Sequence, residues 1–246
     1  ETSTKHVNYF RKLSKLKKQR LRTFPQWTIG WAEEFITDFH QAFISSWKAA
    51  RTIYFMRHAR TSLNDGTFLG QGRDPSILPN ELTPLPELVK TVYSSPAKRC
   101  LETAKQLVPE LPTFEDKRLH EIEYGTAEGY TFENLKECYP EIIKAWSEGL
   151  DPYFPGGENS GNVLDRLQQF INELTDKFQE GSTLVVTHNV ALRCLIGQSH
   201  SIPIRNWYQL VIPHAEPLEF KLLEGRLYSN IPRAKLGKIF KSLGAV

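Results

Sequence analysis

The chain has 246 residues, 40% of them hydrophobic, with a formal net charge of +3, which suits one large α/β domain plus an extension. No apolar run approaches the roughly 18 residues that a membrane-spanning helix needs. Cys100, Cys138 and Cys194 are far apart and form no C-x-x-C pair, which argues against a disulfide framework or a structural zinc site. This usage fits a reducing compartment, and a cytoplasmic placement is expected. The sequence begins at Glu1 and its only methionine is Met56, so the natural start is expected upstream.

The charge is uneven. Residues 1–22 hold eight basic residues and one acid, while the other 224 hold 23 basic and 27 acidic residues. Residues 5–22 carry Phe10, Leu13 and Leu16 at three-residue spacing and read as a short helix or partly ordered arm. Such an arm is either solvated or set against an anionic surface; no specific nucleic-acid binding is expected. Next, Trp27, Trp31, Phe35, Phe39, Phe43 and Trp47 recur every four residues. Each step overshoots one helical turn by about 40°, so the aromatics wind into a broad apolar face. That face is expected to pack on the chain's own domain or on a second copy in a homodimer. Residues 1–50 therefore read as an extension and 51–246 as the main domain.

From Ile53 the pattern alternates. "TIYFM" (52–56), "TVYSS" (91–95) and "STLVVTH" (182–188) read as buried strands. "PAKRCLETAKQLV" (96–108) is a helix with proline in its first turn. "TFENLKECYPEIIKAWSEG" (131–149) reads as a helix broken near Pro140, and residues 159–180 as a long amphipathic helix. Helix "NVALRCLIGQ" (189–198) follows the third strand, and residues 218–231 look like a terminal hairpin turning at Glu224-Gly225. This order implies an α/β, three-layer fold: a mostly parallel central sheet with helices on both faces.

In such sheets, ligands sit beyond the carboxyl ends of the strands. The first strand ends in Arg57-His58, the second leads to Arg99, and the third ends in Thr187-His188. Two arginines and two histidines converging there make a pocket for a dianion, phosphate foremost. Arginines beside a histidine favour its neutral form, and a neutral imidazole is a nucleophile. The acidic loop 118–129 offers Glu121, Glu123 and Glu128 as a proton donor to a leaving oxygen and later a base for water.

At this point the chain resembles the histidine phosphatase superfamily, the phosphoglycerate mutase-like branch, over roughly residues 52–231. The R-H-G-[ET] motif reads Arg57-His58-Ala59-Arg60-Thr61, with Asn64 six residues after the histidine. S-x-x-x-R-x-x-x-T reads Ser95, Arg99 and Thr103, and L-x-E-x-x-x-G reads Leu119, Glu121 and Gly125. "PGGENSGNVLDRL" (155–167) and "VVTHNVALR" (185–193) complete five motifs in order. The resemblance implies that His58 accepts the phosphoryl group and that Arg57, Arg99 and His188 hold its oxygens. It implies Glu121 as proton donor and phosphate contacts from Asn64 and the Asn189 amide. No metal or cofactor is implied.

Ala59 stands where the family has glycine, and Arg60 where it has an acid. Arg60 either reaches a second acidic group of the substrate or faces solvent. Gly70 and Gln71 are expected to line the substrate mouth, and His214 to lie on the last pocket loop. The helix that the family places after Leu82-Thr83 is interrupted here by Pro84 and Pro86. Only 67 positions separate Glu121 from His188, too few for the insertion of a mutase, so water should reach the phosphohistidine. Residues 131–159 and 187–198 are similar to the phosphatase domain of fructose-2,6-bisphosphatases. The expected function is a metal-independent phosphomonoesterase acting on a small phosphorylated metabolite, sugar phosphates first. The alternatives are a phosphoglycerate mutase-type isomerase and a weakly catalytic binding or scaffold protein targeted by its arm.

Overall fold

Runs of β-branched and aromatic residues bounded by polar turns become strands when both faces can be buried. In the computed structural model, which describes residues 26–79, 82–176 and 181–241, β1 (Arg51–Arg57), β2 (Val89–Ser94) and β4 (Ser182–Thr187) are such runs. With β3 (Thr113–Glu115), β5 (Pro217–Leu223) and β6 (Arg226–Ser229) they form one six-stranded sheet in the order β3-β2-β4-β1-β5-β6. The first four in that order are mutually parallel, β5 pairs antiparallel with β1, and β6 pairs antiparallel with β5.

Side chains alternate across the sheet. Ile53 and Phe55 enter one core, with Val185 and with Leu167 and Phe170 of α5 (Ser160–Asp176). Tyr54, Met56, Leu184 and Val186 enter the other, with Cys100 and Ala104 of α2 (Lys98–Leu107). Helices thus cover both faces. α3 (Phe132–Cys138) and α4 (Pro140–Ser147) replace the single broken helix of the sequence reading, and Pro140 starts the second. α6 (Asn189–Ser199) begins directly after β4 and His188.

The interruption at Pro84 and Pro86 and the hairpin agree with the sequence reading, and the hairpin's place in the chain differs from it. The connection from β1 to β2 contains no helix among the described residues: Pro84 and Pro86 remove backbone donors and restrict the residues before them. The hairpin forms, with Glu224 at φ 48° and Gly225 at φ 75°, the left-handed pair of a type I′ turn. It is not terminal, however. Its first strand pairs along most of β1, and α7 (Arg233–Ile239) follows.

Residues 1–49 and 50–246 are separate compact units. Within the first, α1 (Gln26–Ala49) carries the aromatic repeat. Phe43 and Trp47 stack at 5.9 Å between ring centroids; the side chains of Trp27, Trp31, Phe35 and Phe39, and the basic arm at 5–22, lie outside the described residues. No helix among the described residues is long and apolar enough to cross a membrane.

Candidate active site

The parallel strands β1, β2 and β4 end at one rim and deliver their following residues there. His58 leaves β1 with its backbone N–H on the Thr187 carbonyl at 2.9 Å. Its ring Nδ1 donates to the Ala59 carbonyl at 2.7 Å, which leaves Nε2 as the lone-pair nitrogen. The Ala59 N–H donates to Thr103 Oγ1 at 2.9 Å, and that hydroxyl donates to the Arg99 carbonyl at 2.6 Å. Ala59 is fully buried and is not among the described non-glycine residues with positive φ. The turn therefore takes a methyl group where a glycine was expected, without backbone strain.

His188 lies 5.3 Å from His58 between ring centroids. Arg99 Nη2 donates to its Nδ1 at 3.2 Å, so Nε2 carries the proton toward Ser95 Oγ at 2.8 Å. Arg99, only 1% exposed, also donates to the carbonyls of Gly70 at 2.8 Å and Arg73 at 3.1 Å, and to Asp74 at 3.2 Å. Arg57 Nη1 donates to the Ile212 carbonyl at 2.9 Å. The Nε groups of Arg57 and Arg99 are buried with no hydrogen-bond partner. Two unpaired guanidinium donors inside a protein are costly and suit an anion.

Burial pushes both histidines well below the usual imidazole range, reinforced at His58 by Arg57 and Arg99 and at His188 by Arg99 and His58. Both are neutral at physiological pH. Burial lowers Arg57 to about 10, which leaves it charged.

Of the three acids in loop 118–129, Glu121 is the one at the rim. Glu123 is exposed, and Glu128 accepts the N–H groups of Gly72 and Arg73 at 2.9 and 2.8 Å. The Glu121 carboxyl group takes the N–H of Ile122 at 3.0 Å and those of Asn189 and Val190 at 3.1 Å. Burial raises its pKa, against the lowering pull of these donors and of Arg99 and Arg57. Its loop is clamped by segment 155–158: Glu158 N–H meets the Glu123 carbonyl at 2.8 Å, and Thr126 N–H meets that of Pro155 at 3.0 Å. A Cβ on Gly157 would sit 2.1 Å from the Glu123 oxygen, so the second glycine of "PGGE" is a packing requirement, while the first, Gly156, has φ 73°, a left-handed conformation that favours glycine. Arg166 ties the assembly together, donating to Glu158 and to the carbonyls of Arg118 and Glu121.

The remaining expected residues divide. The Asn189 amide is at the rim but is engaged by Glu121, because a helix N-terminus attracts whichever carboxylate is nearest. Asn64 Oδ1 accepts the N–H and hydroxyl of Thr61 at 2.8 and 3.2 Å, capping the turn after His58. Gly70 presents its carbonyl to Arg99, and Gln71 donates to the Glu121 carbonyl at 2.8 Å, so both join the wall between arginine and acid. Arg60 is exposed. His214 lies 5.4 Å from His58 between ring centroids.

Sequence reasoning gave no role to Ser95, Thr103 or Arg193. The first two flank Arg99 at four-residue spacing, which puts Arg99 and Thr103 on one helix face; that spacing was the available signal. Arg193 lies one turn beyond Asn189, with Nε on the Leu210 carbonyl at 2.8 Å and its charge felt by Tyr124 and Glu121.

A family model described as the histidine phosphatase superfamily (branch 1) matches residues 53–228. The chain belongs to the histidine phosphatase superfamily. It is 31% identical over 177 residues to a 6-phosphofructo-2-kinase/fructose-2,6-bisphosphatase of Caenorhabditis elegans, covering 66% of this chain and 37% of that protein. It is 32% identical over 114 residues to phosphoserine phosphatase 1 of Hydrogenobacter thermophilus, covering 44% of this chain and 53% of that one. The chain thus spans about half or less of the length of these relatives. The solved structure of YhfR from Bacillus stearothermophilus superposes with a TM-score of 0.62 at 21% identity, over 74% of this chain and 96% of that one; at that identity it shows a common fold. The superfamily match contains every rim residue named above, from Arg57 to His214.

Proposed function

We propose that this histidine phosphatase hydrolyses phosphoric monoesters of small metabolites through a phosphohistidine at His58. The observation that carries the reading is a buried, neutral imidazole whose Nδ1 is tied to Ala59, beside two arginines with unpaired buried Nε donors. The substrate's phosphoryl group is drawn to these donors. His58 Nε2 attacks phosphorus as the bond to the leaving oxygen breaks. The buried Glu121, whose pKa is raised, protonates that oxygen. Arg57 and Arg99 balance the charge on the equatorial oxygens, and His188, held between Arg99 and Ser95, positions the Arg99 guanidinium. Water then displaces phosphate from the nitrogen.

Sugar phosphates are the favoured substrates, because the C. elegans relative is named for fructose-2,6-bisphosphatase activity. Phosphorylated amino acids come next, given the phosphoserine phosphatase relative. Only 66 residues lie between Glu121 and His188, which favours release to water over return to the substrate.

The test is phosphate release in EDTA from sugar phosphates, phosphoserine, phosphoglycerates and 4-nitrophenyl phosphate, for wild type and His58→Ala. Release by wild type alone supports the reading, and the ranking names the substrate class. Equal release by both proteins, or a strict requirement for divalent metal, refutes it. Phosphoglycerate interconversion with little release points to a mutase.

A further inference from the structure

Arg99 stands on the first turn of α2, and a guanidinium carries five N–H donors in one plane. Its Nη1 donates to the Arg73 carbonyl at 3.1 Å and to Asp74 at 3.2 Å, and its Nη2 to the Gly70 carbonyl at 2.8 Å and to His188 Nδ1 at 3.2 Å. The four Nη hydrogens thus meet four acceptors. The fifth donor, the Nε–H, is buried and has none, so it is the donor left for a ligand. Because the group is planar, fixing its two Nη atoms also fixes the Nε–H.

Three of those four acceptors lie in segment 70–74, "GQGRD". The segment belongs to no helix or strand, so its carbonyls stay in place only if something else holds the backbone. Glu128, in the acid loop, does so. One of its oxygens accepts the Gly72 N–H at 2.9 Å and the other the Arg73 N–H at 2.8 Å. These N–H groups belong to peptides 71–72 and 72–73, and the two peptides flanking them carry the Gly70 and Arg73 carbonyls that meet Arg99. A Cβ on Gly70 or Gly72 would lie 3.1 or 3.0 Å from Glu128 Oε2, so glycines let the carboxylate close on the backbone. The neighbouring residues reinforce the contact. Gly129 N–H donates to the Phe68 carbonyl at 2.9 Å and Phe68 N–H to the Tyr130 carbonyl at 2.8 Å. Arg73 Nη2 donates to the Phe68 carbonyl at 2.9 Å.

We propose that Glu128 is a positioning residue for phosphate binding: by clamping the backbone at residues 72 and 73 it sets the plane of the Arg99 guanidinium. This rests on the reading of Arg99 as a phosphoryl ligand given above. Glu128 moves no proton and touches no substrate in this role. Both its oxygens are engaged by N–H donors, in charge-assisted hydrogen bonds. Glu128→Gln has the same shape but turns one acceptor into an NH₂ group facing an N–H. One of the two peptides must then rotate, and the carbonyl of the next peptide shifts away from Arg99. If Glu128 only stabilised the fold, its loss would weaken phosphate binding equally whatever stood at position 99. If it acts through Arg99, the two losses are not additive.

The experiment is a double-mutant cycle on the whole chain, with binding of inorganic phosphate read by titration calorimetry. The proteins are wild type, Glu128→Gln, Arg99→Lys and the double variant. Lysine keeps the charge but lacks the planar fork. Glu128→Gln is expected to weaken phosphate binding by roughly 3- to 30-fold in the wild-type background, the range of coupling within one hydrogen-bond network. In the Arg99→Lys background the same change should alter binding by less than about twofold, as for sites that do not interact. If glutamine unfolds the chain, Glu128→Asp takes its place. Aspartate keeps the charge but is one methylene too short to reach both N–H groups, and the same non-additivity is expected. The proposal is overturned if the Glu128 variants bind phosphate as wild type does, or if the loss is the same in both backgrounds. A wild type that binds no phosphate, or an Arg99→Lys variant that binds it as tightly as wild type, overturns instead the reading of Arg99 as the phosphoryl ligand.

Discussion

Thr103→Val and Thr103→Ser separate the chemistry of the site's anchor from its shape. Thr103 is fully buried. Its hydroxyl accepts the Ala59 N–H at 2.9 Å and donates to the Arg99 carbonyl at 2.6 Å. Valine has nearly the same shape and leaves the Ala59 N–H buried without an acceptor. A group stranded in this way costs about 1–3 kcal/mol. The Arg99 carbonyl lies inside α2 and keeps its helical environment, so its loss adds little. At roughly 2–4 °C per kcal/mol for a domain of this size, valine should lower Tm by about 2–12 °C. Serine keeps both hydrogen bonds and loses one methyl group, worth about 0.8 kcal/mol, so it should cost less than valine. Valine also loosens the Ala59 backbone that orients the His58 ring. If about 1.4 kcal/mol of that orientation is lost, kcat falls tenfold, with KM nearly unchanged. Calorimetry and steady-state kinetics with 4-nitrophenyl phosphate read both effects. A valine variant as stable as wild type, or serine worse than valine, would refute the reasoning.

Gly157→Ala forces a Cβ to within 2.1 Å of the Glu123 carbonyl and 2.9 Å of the Gly125 nitrogen. The backbone of the acid loop must move, so a loss of about 1–3 kcal/mol and a clear fall in kcat should appear together in thermal melts and kinetics. Glu121 is favoured in its protonated form when folded, its pKa raised above 4.5 by burial. Its contribution to stability is present below 4.5 and is lost as pH rises through the folded value. Urea unfolding should therefore show wild type losing ground to Glu121→Gln as pH rises; a gap moving the opposite way would contradict the burial of the carboxyl group. His58 and His188 have folded pKa values well below 6.5, so the unfolded chain binds their protons first on acidification. Stability is present above 6.5 and is lost as pH falls below it, and the double variant His58→Asn/His188→Asn should flatten that part of the profile.

The parallel strands and their histidines were legible in the sequence for a physical reason. A strand buried on both faces must be an unbroken apolar run, so "TIYFM" and "STLVVT" stand out, and ligand chemistry sits at their carboxyl ends. Prolines 84 and 86 likewise signalled that the usual helix was interrupted, and the Glu224-Gly225 pair marked its turn. Helix α7 and the short 3-10 turn Ile204–Gln209 carry no strong periodicity and went unread.

The finer arrangement of the site belonged to the tertiary structure. Asn64 and the Asn189 amide are residue types that bind phosphate equally well as they cap turns or meet carboxylates. Only the fold decides which partner is nearest, and it supplied the Thr61 donors to Asn64 and the Glu121 acceptor to Asn189. The second glycine of "PGGE", Gly157, became interpretable once the acid loop was seen pressed against it. His214 is 156 residues from His58 in the chain, and no local pattern encodes a contact of that range. Hydrophobic periodicity and turn chemistry act over a few residues and so determine the elements. The pairing of distant side chains depends on how β5 inserts beside β1, and packing of the whole sheet decides that.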